Sequence, residues 1–257
     1  MTAQPTTLPA EDLSTTPAIE LRKLGHSYGD TAVLHDIDLV IEPGEIFGFL
    51  GHNGAGKTTA VNILTTLLTP TSGSAEVCGA DVVTDRAGVT AAIGYLPADV
   101  RMYPHLTARE NVEFFATLSG LADPAGATAE TFEYLDCGDL ADKRVGLFST
   151  GMRQRVGIAQ AIVHRPRVLF LDEPTSGLDP SGVRQLRETI IDLNATHGMT
   201  VFMNTHLLSE VAKVCTSIGV LDHGELIYHD TIEATTARFP NETSLEDIYV
   251  RMERTPS

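Results

Sequence analysis

Short apolar runs bounded by glycine, proline and polar clusters alternate along this chain with segments whose apolar positions recur every three or four residues. That alternation predicts strands interleaved with helices, an α/β fold. Strands are expected at residues 19–24, 37–41, 46–50 and 92–96, and again at 168–171, 200–204 and 218–221. Residues 168–171 are apolar without a break, as a central parallel strand covered on both faces requires. Between the two groups of strands, residues 98–164 read as a helical insert. Thr107 and Glu110 have capping-box spacing there, opening a helix that places Val112, Phe115 and Leu118 on one face, expected to be core. A second helix carries Arg153 and Arg155 at its start, read as a solvated or pocket-facing edge, with Val156, Ala159 and Val163 as its apolar face. Near the end, Ser244 to Met252 has capping-box spacing with Leu245, Ile248 and Met252 aligned, a helix expected to lie on its own core or on a second copy.

The strand expected at 46–50 runs into Gly51-His52-Asn53-Gly54-Ala55-Gly56-Lys57-Thr58-Thr59 and then a helix expected to continue through Leu68. This is the full spacing of a phosphate-binding P-loop between the strand and helix it needs. Gly51, Gly54 and Gly56 allow positive φ and close approach, so that backbone N–H groups and a helix N-terminus cradle anionic oxygens. Lys57 would reach the β- and γ-phosphates, and the Thr58 hydroxyl would ligate Mg²⁺. The bland alternative is a chance glycine turn with a surface lysine.

Asp172 and Glu173 stand at the carboxyl end of the apolar run, the edge of an open α/β sheet where ligands bind. One carboxylate can hold a magnesium ion's shell while its neighbour takes a proton from an attacking water. The same pair also fits an acidic helix start before Pro174.

With the segment Ser149-Thr150-Gly151-Met152-Arg153-Gln154-Arg155, the chain resembles the ATP-binding cassette (ABC) family from about Ile19 to its C-terminus. Tyr28 is similar to the family's adenine-stacking aromatic, residues 51–59 to its Walker A loop, Ser149 to Met152 to its signature, and residues 168–173 to Walker B. Ser176 to Asp179 matches the loop linking two protomers, and His206 the switch histidine. The resemblance implies a P-loop NTPase core with a mixed, mainly parallel sheet, an antiparallel β region on the N-terminal side and an inserted helical subdomain. It divides the chain into a disordered tail (1–17), two core parts (18–97 and 165–232), the helical signature subdomain (98–164) and a C-terminal helical extension (233–257). It also implies ATP and Mg²⁺ as ligands, with Glu173 as base, Asp172 and Thr58 on the metal, His206 and Lys57 near the γ-phosphate, and Ser149 and Gly151 acting across a dimer. The partners implied are a polytopic membrane permease and a second ATP-binding subunit, with an identical copy favoured over a different one.

Three departures qualify the match. Ala98 stands where the family has a metal-touching glutamine, with Asp99 adjacent as a substitute or as an ordinary loop aspartate. Thr150 replaces a glycine and Met152 a glutamine of the signature. The Gly-Met variant, together with YPHLTARENVEFF and the terminal SLEDIYVRM, looks like the drug-exporter branch. By resemblance, the loop from Asp99 to Leu106 lines the groove for a permease helix, with Tyr103 and Leu106 as candidate contacts.

Composition narrows the partners further. Against 34 Asp and Glu there are 18 Lys and Arg, a formal net charge of −16. Such a surface repels phosphate backbones, so no nucleic-acid partner is expected. The longest uncharged stretch, from Thr58 to Ala75, is interrupted by Asn62, several threonines, Pro70 and Gly73, and is no membrane span. The first seventeen residues have neither a basic start nor an apolar block, so no signal peptide is expected. The reading that follows is a peripheral protein on the cytoplasmic face of the cell membrane. Cys78, Cys137 and Cys215 fit reduced core thiols better than disulfides or a zinc site, and no metal besides magnesium is implied. The leading expectation is the ATPase subunit of a multisubunit exporter of a small amphiphile. Its rivals are a soluble ABC ATPase of a cofactor-assembly system and a weakly hydrolysing nucleotide-sensing subunit, which Ala98 and Thr150 would support.

Overall fold

The computed structural model describes residues 16–254, with side chains through Arg251. Most of the tail expected at residues 1–17, and the side chain of Met252, lie outside the described residues.

The chain opens with an antiparallel hairpin, β1 (Ile19–Tyr28) and β2 (Thr31–Ile41), turning at Gly29 and Asp30. β3 (Ile46–Leu50) runs into α1 (Lys57–Leu64), and β4 (Ser72–Val77), β5 (Ala80–Asp81), α2 (Arg86–Ala92) and β6 (Ile93–Leu96) follow. Three helices come next, α3 (Ala108–Leu118), α4 (Pro124–Tyr134) and α5 (Thr150–Ile162). The chain then alternates β7 (Val168–Asp172), α6 (Pro180–His197), β8 (Thr200–Asn204), α7 (Leu208–Val214) and β9 (Ser217–Asp222). It finishes with β10 (Glu225–Thr231), α8 (Ile232–Arg238) and α9 (Leu245–Arg254).

The strands form two sheets. One is antiparallel, in the order β2-β1-β4-β5; the other runs β10-β9-β3-β8-β7-β6 and is parallel except for the β9–β10 hairpin at its edge. β3, β7 and β8 are buried at every position, because the central sheet is covered on both faces. Alternate residues point to opposite sides. Phe47, Phe170 and Phe202 form a cross-strand row with neighbouring ring centroids 5.3 Å apart, and this face packs with Leu21, Leu24 and Ile37 of the antiparallel sheet. Leu169, Leu171, Val201 and Met203 face the other way, onto Ile158 of α5, Leu186 and Ile190 of α6 and Ile248 of α9. A separate apolar cluster joins Val112 and Ala116 of α3, Phe132 of α4, Val156 and Ala159 of α5 and Val163 just past its end. The helical insert therefore has a core of its own.

Several elements differ from their sequence-based expectation. The helix after the P-loop stops at Leu64, where the Thr65 hydroxyl bonds back to Val61 O at 2.8 Å and Thr66 turns to a φ of +62°. β4 and β10 were not foreseen; the first is rich in serine and glycine and is held by its pairing with β1, Ile19 opposite Val77. In α3, Val112 is buried but Phe115 only partly so, and Leu118 is 66% exposed. Steps of three on a helix of 3.6 residues per turn drift by about 60° each, so Leu118 points about 120° away from Val112. The buried face is Ala108, Asn111, Val112 and Ala116. The capping box of α3 is present in both halves, and Leu245 and Ile248 of α9 are buried. Cys137 and Cys215 are buried and Cys78 partly so, all three as free thiols. Among the described residues, no helix is long and apolar enough to cross a membrane.

Candidate active site at the carboxyl edge of the parallel sheet

β3 delivers the chain to the P-loop in the middle of the sheet, between β8 and β9. Gly51 lies so close to the next strand that a Cβ there would come within 2.4 Å of Leu221 O. Gly54 and Gly56 take φ of +90° and +108°, conformations that side chains rarely adopt. Gly56 caps α1 without a side-chain hydrogen bond, and the first turn of α1 contains no acidic residue. The positive end of the helix is thereby left to an anion. Asn53 and Gly54 are exposed at the loop's tip, Ala55 is buried beneath it, and Ala55 N–H donates to His52 O at 3.2 Å.

Lys57 is buried, and its ammonium donates to Gly51 O at 2.6 Å and His52 O at 3.1 Å, so the loop's own carbonyls hold it at the centre of the cradle. Burial pushes its pKa down, against the pull of the Glu173 and Asp172 carboxylates. Thr58 is exposed and Thr59 buried on the first turn of α1. Tyr28, at the tip of the β1–β2 hairpin, is 52% exposed and stands edge-on to His26 with centroids 4.6 Å apart.

Two strands away, β7 ends on Asp172. It is buried, and its Oδ1 accepts from Asn204 Nδ2 at 2.5 Å, a contact set by the β7–β8 register that places the two residues opposite each other. Burial raises the Asp172 pKa and the Glu173 charge adds to that, while the Asn204 bond and Lys57 oppose it. Glu173 takes a φ of +47°, a left-handed conformation that costs a non-glycine residue about 1–3 kcal/mol and concentrates at functional sites. Its N–H donates to Asn204 O at 2.8 Å, and its Oε2 lies 2.7 Å from Nδ1 of the exposed His206. The strand end thus turns one carboxylate inward beside Lys57 and aims the next at His206.

Ser149 caps α5, its hydroxyl accepting from Met152 N–H at 3.3 Å. Ser149 and Gly151, with Leu178 and Asp179, line a cavity of about 240 Å³ against α6. Among the described residues, no hydrogen bond or ion pair joins either of them to Lys57, Asp172 or Glu173. The candidate residues therefore fall into two groups within one chain, one around the P-loop and one at the head of α5. Gln154 connects the second group to the sheet, donating from a buried amide to Pro174 O at 2.7 Å. Gln154 and Asn204 were not foreseen, since only strand register and tertiary contact reveal their partners. Asp99 is exposed and accepts from Arg101 at 2.9 Å. Tyr103, half-exposed, stands edge-on to Phe114 with centroids 5.2 Å apart, and Leu106 is partly buried. A larger cavity of about 640 Å³ is lined by Pro43, Arg167 and Thr200 at the amino ends of the strands, the edge opposite to the P-loop and away from these groups.

A phosphate cradle on a central parallel strand, with an acidic pair, its first member buried, at the end of a second strand and a histidine past a third, defines a P-loop nucleoside triphosphatase. The comparisons with known proteins agree. A family model described as ABC transporter matches residues 34–176, and the chain belongs to that family as an ATP-binding, ATP-hydrolysing subunit. It is 37% identical over 209 residues to the bacitracin transport ATP-binding protein BcrA of Bacillus licheniformis, covering 81% of this chain and 68% of that one. It is 34% identical over 230 residues to the linearmycin resistance ATP-binding protein LnrL of Bacillus subtilis (strain 168), covering 89% and 74%. A solved ATP-binding subunit of an ABC transporter superposes with a TM-score of 0.83 at 26% identity, covering 92% of this chain and 99% of that one. The dimeric, post-hydrolysis ATP-binding cassette MJ0796 bound to ADP and Pi gives a TM-score of 0.75 at 25% identity, covering 83% and 98%.

Proposed function

We propose that this chain powers a separate polytopic permease exporting a small amphiphile, by ATP-driven closure of a head-to-tail dimer of identical copies on the cytoplasmic face of the membrane. The observation that carries this reading is the division of the site. Lys57, Asp172, Glu173 and His206 converge at the sheet edge, while Ser149 and Gly151 stand apart at the head of α5, so a second copy is needed to bring the two halves together. The assembly of residues 98–164 around its own core supports its acting as the unit that presents Ser149 to the second copy and Tyr103 to the permease. Relatives named for bacitracin transport and linearmycin resistance support an amphiphilic cargo and speak against a soluble assembly ATPase.

In this reading the P-loop N–H groups and Lys57 bind the β- and γ-phosphates, Tyr28 stacks on adenine, and Ser149 and Gly151 of the second copy close over the γ-phosphate. Asp172 and Thr58 offer the oxygen ligands a hard cation takes, and Mg²⁺ bound there would neutralise phosphate charge. Glu173 accepts the proton of the water that attacks the γ-phosphorus, its carboxylate oriented by His206. Loss of the γ-phosphate removes the contacts favouring the closed dimer, which reopens.

Glu173→Gln keeps the shape but removes the base. Phosphate release should fall by about 10²–10⁴ while ATP stays bound. An undiminished rate would overturn the assignment of Glu173.

A further inference from the structure

Beside the P-loop, three side chains converge that the proposed nucleotide chemistry does not use. The β9–β10 hairpin turns on two residues, His223 and Gly224, whose φ of +46° and +83° are those of a type I′ turn. That turn is fixed against the P-loop, with Gly224 N–H donating to Ala55 O at 3.0 Å and Gly224 O accepting from His35 N–H at 2.8 Å. Asp222, at the end of β9, points one oxygen at two imidazoles: Oδ1 lies 2.8 Å from His223 Nδ1 and 3.1 Å from His52 Nε2. One donor atom from each of the three residues lies within 4.8 Å of the others.

The protonation pattern of His52 follows from its neighbours. Its Nδ1 is 2.8 Å from Asn53 O, and a carbonyl only accepts, so Nδ1 carries the hydrogen. Nε2 then presents its lone pair towards the Asp222 carboxylate. It is shielded from solvent and out of line for a hydrogen bond. A lone pair facing a carboxylate oxygen is favourable only with a proton or a metal cation between them. An imidazole whose other nitrogen donates to a backbone carbonyl is also the usual arrangement of a metal-bound histidine, because that bond fixes the tautomer and ring direction. Ligands about 2.0–2.2 Å from a tetrahedral zinc stand about 3.3 Å apart, close to the two separations seen here. His223 is 84% exposed and free to swing the remaining distance.

We propose that His52, Asp222 and His223 bind a borderline divalent transition ion, zinc foremost, which ties the phosphate-binding loop to the β9–β10 turn. Two imidazoles and one carboxylate suit zinc, copper or nickel rather than magnesium, which prefers all-oxygen shells. The site is separate from Asp172 and Thr58, and it stands or falls independently of the proposed transport role.

The test is a calorimetric titration of the tag-free, nucleotide-free full chain with Zn²⁺, paralleled by Co²⁺ absorption to report the ligand field. One ion per chain is expected. Asp222→Asn and His223→Asn should each weaken binding by about tenfold or more. Asparagine suits the first position of a type I′ turn, so the second variant keeps the hairpin and decides the matter even where the first fails to fold. The proposal is overturned by absence of stoichiometric binding in the unaltered chain, by equal affinity in His223→Asn, or by loss of the ion in His206→Asn instead.

Discussion

Asp172 carries an acid where burial disfavours its charge, and only Asn204 and Lys57 offset that cost. A carboxyl whose folded pKa is raised above its unfolded value costs the fold stability once pH exceeds the unfolded value; the cost grows as pH climbs through the folded value and is complete above it. Asp172→Asn should therefore raise the melting temperature of the nucleotide-free protein at neutral pH by about 2–4 °C per kcal/mol recovered, while abolishing the Mg²⁺-dependent hydrolysis proposed above. Thermal melts in EDTA read the first and phosphate release the second; a lower melting temperature would show that the Asn204 and Lys57 contacts outweigh burial. At this scale the sequence was informative wherever a residue's partners are its chain neighbours. Gly51 to Thr59 form their loop locally, and Lys57 bonds to carbonyls only five and six residues before it. Asn204 and Gln154 were silent because their bonds, to Asp172 and to Pro174 O, depend on strand register and on helix docking.

Among the elements, α3 shows how a buried polar residue can hold a surface loop in place. Asn111 is fully buried: its Oδ1 accepts from Tyr103 N–H at 2.8 Å, and its amide donates to Tyr103 O at 3.2 Å and Thr107 O at 2.8 Å. The hydrogen bonds from α3 to the loop at Tyr103 thus come from one side chain, with Phe114 packing edge-on beside it. Asn111→Ala leaves Tyr103 N–H without its partner, while Tyr103 O and Thr107 O keep their backbone bonds from Leu106 and residue 111, and should destabilise the protein by about 1–3 kcal/mol in equilibrium denaturation. A loss under 0.5 kcal/mol, about the scatter of ordinary surface changes, would mean that the loop does not depend on it. Periodicity counted Asn111 as polar and so chose Phe115 and Leu118 for the buried face. β3, apolar over five residues, and β8, with Val201 to Met203 apolar between Thr200 and Asn204, lie where the pattern put them. β4 and β10 escaped notice because neighbouring strands hold them in extended form more than their own residues do.

In the whole molecule, the sheet core and the core of the helical insert are distinct, and each carries one half of the proposed nucleotide enclosure. With Glu173→Gln and saturating ATP, sedimentation should find two chains per particle, and one chain per particle without nucleotide. Single chains under both conditions would remove the basis for joint closure. The two-part architecture was legible because an insert interrupts the run of strands; its docking on the sheet through Gln154 was not, being a contact between segments twenty residues apart in chain and in different layers.

β3 has its neighbours late in the chain: Ile46 lies beside Val201 and Phe47 beside Ser217. A nascent polypeptide leaving the ribosome would hold β3 unpaired until residues 201–220 had been synthesised. Contacts so distant in sequence fold slowly, and that strand, apolar over its whole length, stays open to wrong pairing in the interval. The loop after β3 thus gains its neighbour only once β9 has emerged, and fragments truncated before that strand would leave Gly51 and Gly56 without Leu221 beside them.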